Sequence, residues 1–218
     1  MNRGELREDL RLLLQEEVED DYSDNRLNTL LLIGLRRLER YVLKINPQAF
    51  VSIYVADIID ASSDPDRLKL YNWPEGTIRP LNVKRRATPA DKYVPLPKLP
   101  YSLVNDEDTK PSQLGWSPWG QHFFALEPPP SAAIDDGLLV EVVEHLSMAE
   151  DTDVPDVALG LHDAIPLLAK RRALLETEQP LSREEKEQLA EILAEIPSLY
   201  DPASGGPSFI QPRVYRAY

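Results

Sequence analysis

Phe123-Phe124-Ala125-Leu126-Glu127-Pro128-Pro129-Pro130 leads through a short polar link into Leu138-Leu139-Val140-Glu141-Val142-Val143-Glu144-His145. Asp151-Thr152-Asp153-Val154-Pro155 follows, opening an apolar segment through Leu161, His162 and Ile165. The first two runs are short, apolar and β-branched or aromatic, so they read as strands. Proline fixes φ, and three in a row make a rigid link; the expectation is a hairpin of these two strands. The aspartates then give an acidic entry to a helix whose first turn tolerates Pro155. Strand, turn, strand, acidic loop, helix: this order of parts sets the fold reading.

Toward the N-terminus, Leu6, Leu10, Leu13 and Leu14 recur at helical spacing, predicting a helix near residues 5–16. The acidic run from Glu16 to Asp21 reads as a solvated loop. Ser23 or Asp24 suits the N-cap of a second helix over 24–45, with Leu27, Leu30, Leu31, Leu35, Leu38 and Val42 on one face. Arg36, Arg37 and Arg40 fall toward its C-terminal end, where cations suit the helix dipole, and Asn46-Pro47 stops it. From Phe50 to Ile59 the period changes to two, a strand. A second short strand is expected over Leu68–Tyr71, a turn at Trp73-Pro74-Glu75-Gly76, and a broken strand over Thr77–Arg86. Lys84-Arg85-Arg86 reads as surface charge. Residues 87–120 show no period; Tyr93, Pro95, Pro97, Pro100 and Tyr101 suggest an extended loop lying across another surface.

Beyond Pro155 the apolar positions predict a helix over 155–176, kinked or split at Pro166. It carries Lys170-Arg171-Arg172 near its end. Ser182-Arg183-Glu184-Glu185 is a capping-box sequence opening a helix over 183–196, with Leu189, Ile192, Leu193 and Ile196 in its stripe. The predicted class is α+β and mainly helical: a bundle of about four helices with a β-rich, proline-rich insert over 48–146. One domain would span 1–200, and 201–218 would be an extended C-terminal arm. A solvated tail sheds its aromatics. This one keeps Phe209, Ile210, Tyr215 and Tyr218 beside Arg213 and Arg216, as expected of an arm that orders on a partner.

The chain has 218 residues, with 37 acidic against 24 basic side chains and a net charge of -13. That balance disfavours general nucleic-acid binding. Without cysteine there are no disulfides and no thiolate-held zinc. The charged start, Met1–Asp9, does not read as a secretory signal. No apolar run approaches the roughly 20 residues of a membrane span, so a soluble protein is expected. His122, His145 and His162 lack metal-ligand spacing, and no zincin, nucleophile-elbow or phosphate-loop pattern is present. Asp151 and Asp153 alternate as in calcium loops but lack the glycine and the closing glutamate. No catalytic, cofactor-binding or metal residues are expected. Two other readings stay open at this stage: a carboxylate-dependent hydrolase, and a sugar-binding surface built on Trp116 and Trp119. Those tryptophans, with Tyr101, read more readily as a core edge or as a subunit or tail contact.

The order of parts resembles the head-to-tail adaptor (head-completion or connector) proteins of tailed bacteriophages. The resemblance rests on the first helix, on Tyr22-Ser23-Asp24-Asn25-Arg26-Leu27 opening a second leucine-rich helix, and on the β-rich insert. It continues through Phe124-Ala125-Leu126-Glu127-Pro128-Pro129, the strand Leu138–Val143, and the Asp-rich loop to Pro155 and His162. It spans roughly Leu6–Leu175. The long stretch from Ala87 to Trp119, Pro166, and the helix from Ser182 to Ile196 depart from that pattern. The resemblance implies a virion protein, assembled in the host cytoplasm, that forms a ring, typically dodecameric, beneath the portal protein. Such a ring meets tail or nozzle proteins and extends a channel that DNA traverses without specific binding. Phe209, Ile210, Arg213, Tyr215, Arg216 and Tyr218 would form the portal-binding arm.

Overall fold

The computed structural model describes residues 1–14, 22–60, 70–100, 114–127, 130–176, 179–200 and 213–216. The chain forms two compact units: one from 1–49 with 145–211, the other from 50–144 with 212–218. In sequence the second unit lies between the two segments of the first, and residues 213–216 belong to it.

The first unit holds α1 (Arg3–Leu14), α2 (Asp24–Ile45), a 3-10 turn (Leu159–Leu161), α3 (Ala164–Glu176), α4 (Arg183–Ala194) and α5 (Ile196–Tyr200). The Ser23 hydroxyl caps α2 by accepting the Arg26 N–H. Leu27, Leu30, Leu31, Leu35, Leu38 and Val42 are buried along one side of that helix. α3 crosses α2 at Gly34, where a Cβ would stand 2.4 Å from the Ile165 carbonyl oxygen and 3.1 Å from the Ala169 nitrogen. Only a hydrogen at that position lets the two backbones approach so closely. Ala164 through Ala169 are all buried, so the start of α3 is apolar all round, as a helix enclosed on several sides must be.

The expected four-helix bundle does not form. α1, α2 and α3 pack together, α4 packs against α3, and α5 packs against α2. The β region has its own core and is half of the architecture, so the molecule is α+β and not mainly helical. The helix expected from Pro155 begins at Ala164. Pro166 then falls in the first turn, where an N–H would have no intrahelical acceptor, and the expected kink has no cause.

The second unit contains β1 (Val51–Ile58), β2 (Leu70–Asn72), β3 (Thr77–Arg85), β4 (Val94–Pro95), β5 (Gly115–Trp119), β6 (Phe123–Glu127), β7 (Ile134–Glu144) and β8 (Arg213–Arg216). One sheet has the order β4-β3-β7-β1-β8, the other β2-β6-β5. β7 is central, with Val140 opposite Tyr54 on one side and Val83 on the other. β3 is continuous through Pro80 because the register shifts there; a bulge accommodates the missing donor. The core draws on both sheets: Ile58, Val83, Leu138, Val140 and Val142 from the larger, Tyr71, Trp116, Phe124 and Leu126 from the smaller. Trp73 stacks on Phe124 at 4.4 Å between ring centroids and meets Trp116 edge-on at 5.6 Å.

The hairpin expected between Phe123–Pro130 and Leu138–His145 is corrected by this topology. β6 and β7 lie in different sheets, and the hairpin partner of β6 is β5, with Trp119 opposite Phe123. Gly120 turns that hairpin at φ +71, a conformation that glycine adopts without steric cost.

Candidate functional site

Arg213, Tyr215 and Arg216 lie in β8, which pairs in parallel with β1: Ser52 stands opposite Arg213, Tyr54 opposite Tyr215 and Val55 opposite Arg216. Phe209, Ile210, Tyr218 and Tyr101 fall outside the described residues. Trp116 is 2% exposed within the aromatic core, with the Lys98 ammonium 5.3 Å from its ring centroid. Trp119, three residues on, is half-buried at the end of β5. The two tryptophans therefore do not form one stacking platform, and Trp116 has no open face for a sugar ring.

The acidic loop is held by α1. Asp151 accepts hydrogen bonds from Arg3 at 2.8 Å and from Arg7 at 3.0 Å, while Arg3 also donates to the Met148 carbonyl. Hydrogen bonds from Arg7 and then Arg3 hold the Asp151 carboxyl below the usual carboxylate range. One Asp153 oxygen accepts the N–H groups of Ala149 and Glu150, at 2.7 and 2.9 Å. Guanidinium and backbone donors thus occupy these two carboxylates, the arrangement of a tied loop.

His145 and His162 meet different partners within the helical unit. The His145 Nδ1 lies 2.9 Å from Glu39, whose side chain is 2% exposed and also accepts the Leu146 N–H at 2.6 Å and a hydrogen bond from Arg36. Glu39 is thus a buried acceptor that fixes the chain at His145-Leu146. His162 is buried; burial first, and the Met1 ammonium 2.9 Å from its Nδ1 second, lower its pKa. The neutral ring accepts from that ammonium.

The most concentrated feature of the helical unit is a cationic face. Arg37 and Arg40 come from α2, Arg171 and Arg172 from α3. Burial, then the charges of Arg171, Arg172 and Arg40, lower the Arg37 pKa. Lys44 extends the row along α2, its ammonium 5.6 Å from the centre of the Tyr41 ring. Arg172 has a long pairing with Glu176 at 3.8 Å, while among the described residues Arg37, Arg40 and Arg171 have no carboxylate within ion-pair distance. Their sequence neighbours serve the fold: Arg36 bonds to Glu39 and to the Leu146 carbonyl, and Lys170 to Glu185 and to the Leu13 carbonyl. Each basic run thus divides into a structural member and outward members. Sequence reading treated the runs separately; the signal that could have joined them is Gly34 inside a leucine stripe, which marks a close helix crossing.

An open groove of 450 Å³ adjoins this face, lined among others by Arg171, Leu175, Leu181, Leu189 and Leu193. Among the described residues no group of acids and histidines is arranged to hold a metal ion, and no helix is long and apolar enough to cross a membrane. Neither protein-family models nor curated proteins give a match to this sequence.

Proposed function

We propose that this protein is a structural subunit of a tailed-bacteriophage virion: a ring-forming head-to-tail adaptor that docks under the portal protein and extends the DNA channel toward the tail. The observation that carries this reading is the order of parts in the fold. Two helices are followed by a self-contained β unit, then by an acidic loop tied to α1, then by a third helix packed on the second. That is the sequence of elements on which the resemblance rests.

The C-terminal segment supports the reading in a second way. β8 is the last strand of its sheet, so its outer backbone groups are unpaired among the described residues. An edge strand of this kind offers a row of donors and acceptors to another chain. In the proposed role this segment and the residues around it dock on the portal, and the net charge of -13 disfavours adhesion of passing DNA.

The experiment is binding of the full chain to a purified portal ring, compared with a chain lacking Pro207–Tyr218. The adaptor reading expects the full chain to bind and the shortened chain to lose most of its affinity. Undiminished binding by the shortened chain would remove the arm from the mechanism.

A further inference from the structure

We infer that the arginine face of α2 and α3 is a docking surface for a second copy of this chain, which meets it with the acidic outer face of α4. The inference rests on the ring-forming reading above and names a contact between neighbouring subunits.

The first half of the contact is the cationic face. Arg37, Arg40, Arg171 and Arg172 are brought together by the close crossing at Gly34. Like charges held side by side oppose one another, and among the described residues only Arg172 has a carboxylate near it, at 3.8 Å. Such a face gains from an anionic partner brought from outside.

The second half lies on α4. Glu184, Glu187 and Glu191 of α4 and Glu195 at its C-cap are all exposed, at positions i, i+3, i+7 and i+11 of one helical face. At 100° per residue this row lies roughly 150° round the helix from Leu189 and Leu193, which line the groove beside Arg171. The acidic row thus points away from the arginine side of the same unit and spans about 16 Å. Arg183 pairs with Glu187; among the described residues Glu184 and Glu191 have no ion-pair partner.

Two complementary patches on different sides of one subunit specify a heterologous, head-to-tail contact, the kind that closes into a ring. Exposed ion pairs are individually weak and salt-sensitive, so such a contact assembles cooperatively and in low salt. A nucleic-acid phosphate backbone is the competing anion. The charge of -13 on the chain as a whole opposes DNA; a second copy carries the same net charge and is favoured only by the local match of its acidic row to the arginine face.

The test uses the full chain and two charge-reversed variants, Arg40→Glu/Arg171→Glu and Glu191→Lys/Glu195→Lys. All four positions are exposed, and circular dichroism and thermal melts check that each variant folds. Sedimentation velocity across a concentration series reads self-association in 50 mM and 500 mM salt. The wild type should associate in low salt and dissociate in high salt. Each variant alone should associate about tenfold more weakly or worse, and an equimolar mixture should recover association, because each reversed face then finds a complementary one. Association of each variant equal to that of the wild type, a mixture that recovers nothing, or a wild type that stays monomeric would overturn the contact. So would duplex DNA binding that Arg40→Glu/Arg171→Glu abolishes while self-association is unchanged. Portal binding separates the two ideas. If the wild type binds the portal but ignores the charge reversals, this contact fails and the adaptor reading stands; if the mixture rescues association but no form binds the portal, the adaptor reading fails alone.

Discussion

Gly34 and Ile165 lie where the backbones of α2 and α3 approach closely: a Cβ on Gly34 would sit 2.4 Å from the Ile165 carbonyl oxygen. No rotamer change relieves that clash, because the obstacle is main chain. Gly34→Ala should therefore push the helices apart and destabilise the helical unit by about 2 kcal/mol, within the usual range for overpacking. Urea denaturation checks this; an alanine variant as stable as wild type would mean the crossing is looser than described.

Glu39 makes a different demand on the same helix. Its side chain, 2% exposed, accepts from Leu146, Arg36 and His145. Glu39→Ala strands a buried backbone N–H and leaves the Arg36 guanidinium only the Leu146 carbonyl, at an expected cost of roughly 3 kcal/mol. Glu39→Gln keeps an oxygen for Leu146 and should cost less. Equal stability of the two variants would remove the carboxylate from the account.

Trp116 belongs to the β unit's interior. Trp116→Ala should lower stability by about 3–5 kcal/mol, read by urea denaturation followed by circular dichroism. Trp119→Ala, at a half-buried position, should cost clearly less. The reverse ranking would relocate the core.

His162 sets a pH dependence of stability. Its folded pKa is lowered, by burial first and by the Met1 ammonium second. The unfolded chain therefore binds the proton first, near the ordinary value of about 6.5. The histidine's contribution is complete above that pH and declines as pH falls below it. Asp151 acts in a lower window: its carboxyl is held down by Arg7 and Arg3, so its contribution persists above about 3.9 and is lost as pH falls further. Urea midpoints should drop between pH 8 and pH 5.5 in the wild type, and His162→Gln should flatten that interval. A flat wild-type profile over the same range would contradict the burial argument.

Local signals were legible where the physics is local. The Ser23 cap, the leucine stripe of α2 and the Ser182/Glu185 capping box all form as their residues dictate. Partnership was not legible. Short apolar runs mark Phe123–Pro130 and Leu138–His145 as strand-forming without saying that β6 pairs with β5 while β7 inserts between β1 and β3. Pro166 suits a helix's first turn as well as a kink; the burial of Ala164–Ala169 against Gly34, a tertiary fact, decides between them. The cationic face was hidden for the same reason, because its halves lie more than a hundred residues apart in sequence and meet only through the crossing of α2 and α3.

The central claim, that this chain is an adaptor on a portal, is tested most directly by imaging the full chain mixed with purified portal rings by electron cryo-microscopy. The account predicts a ring of its copies, twelvefold on the portal's axis, with the channel continuing through it. Portal rings that remain bare at saturating concentrations of a folded chain would contradict it.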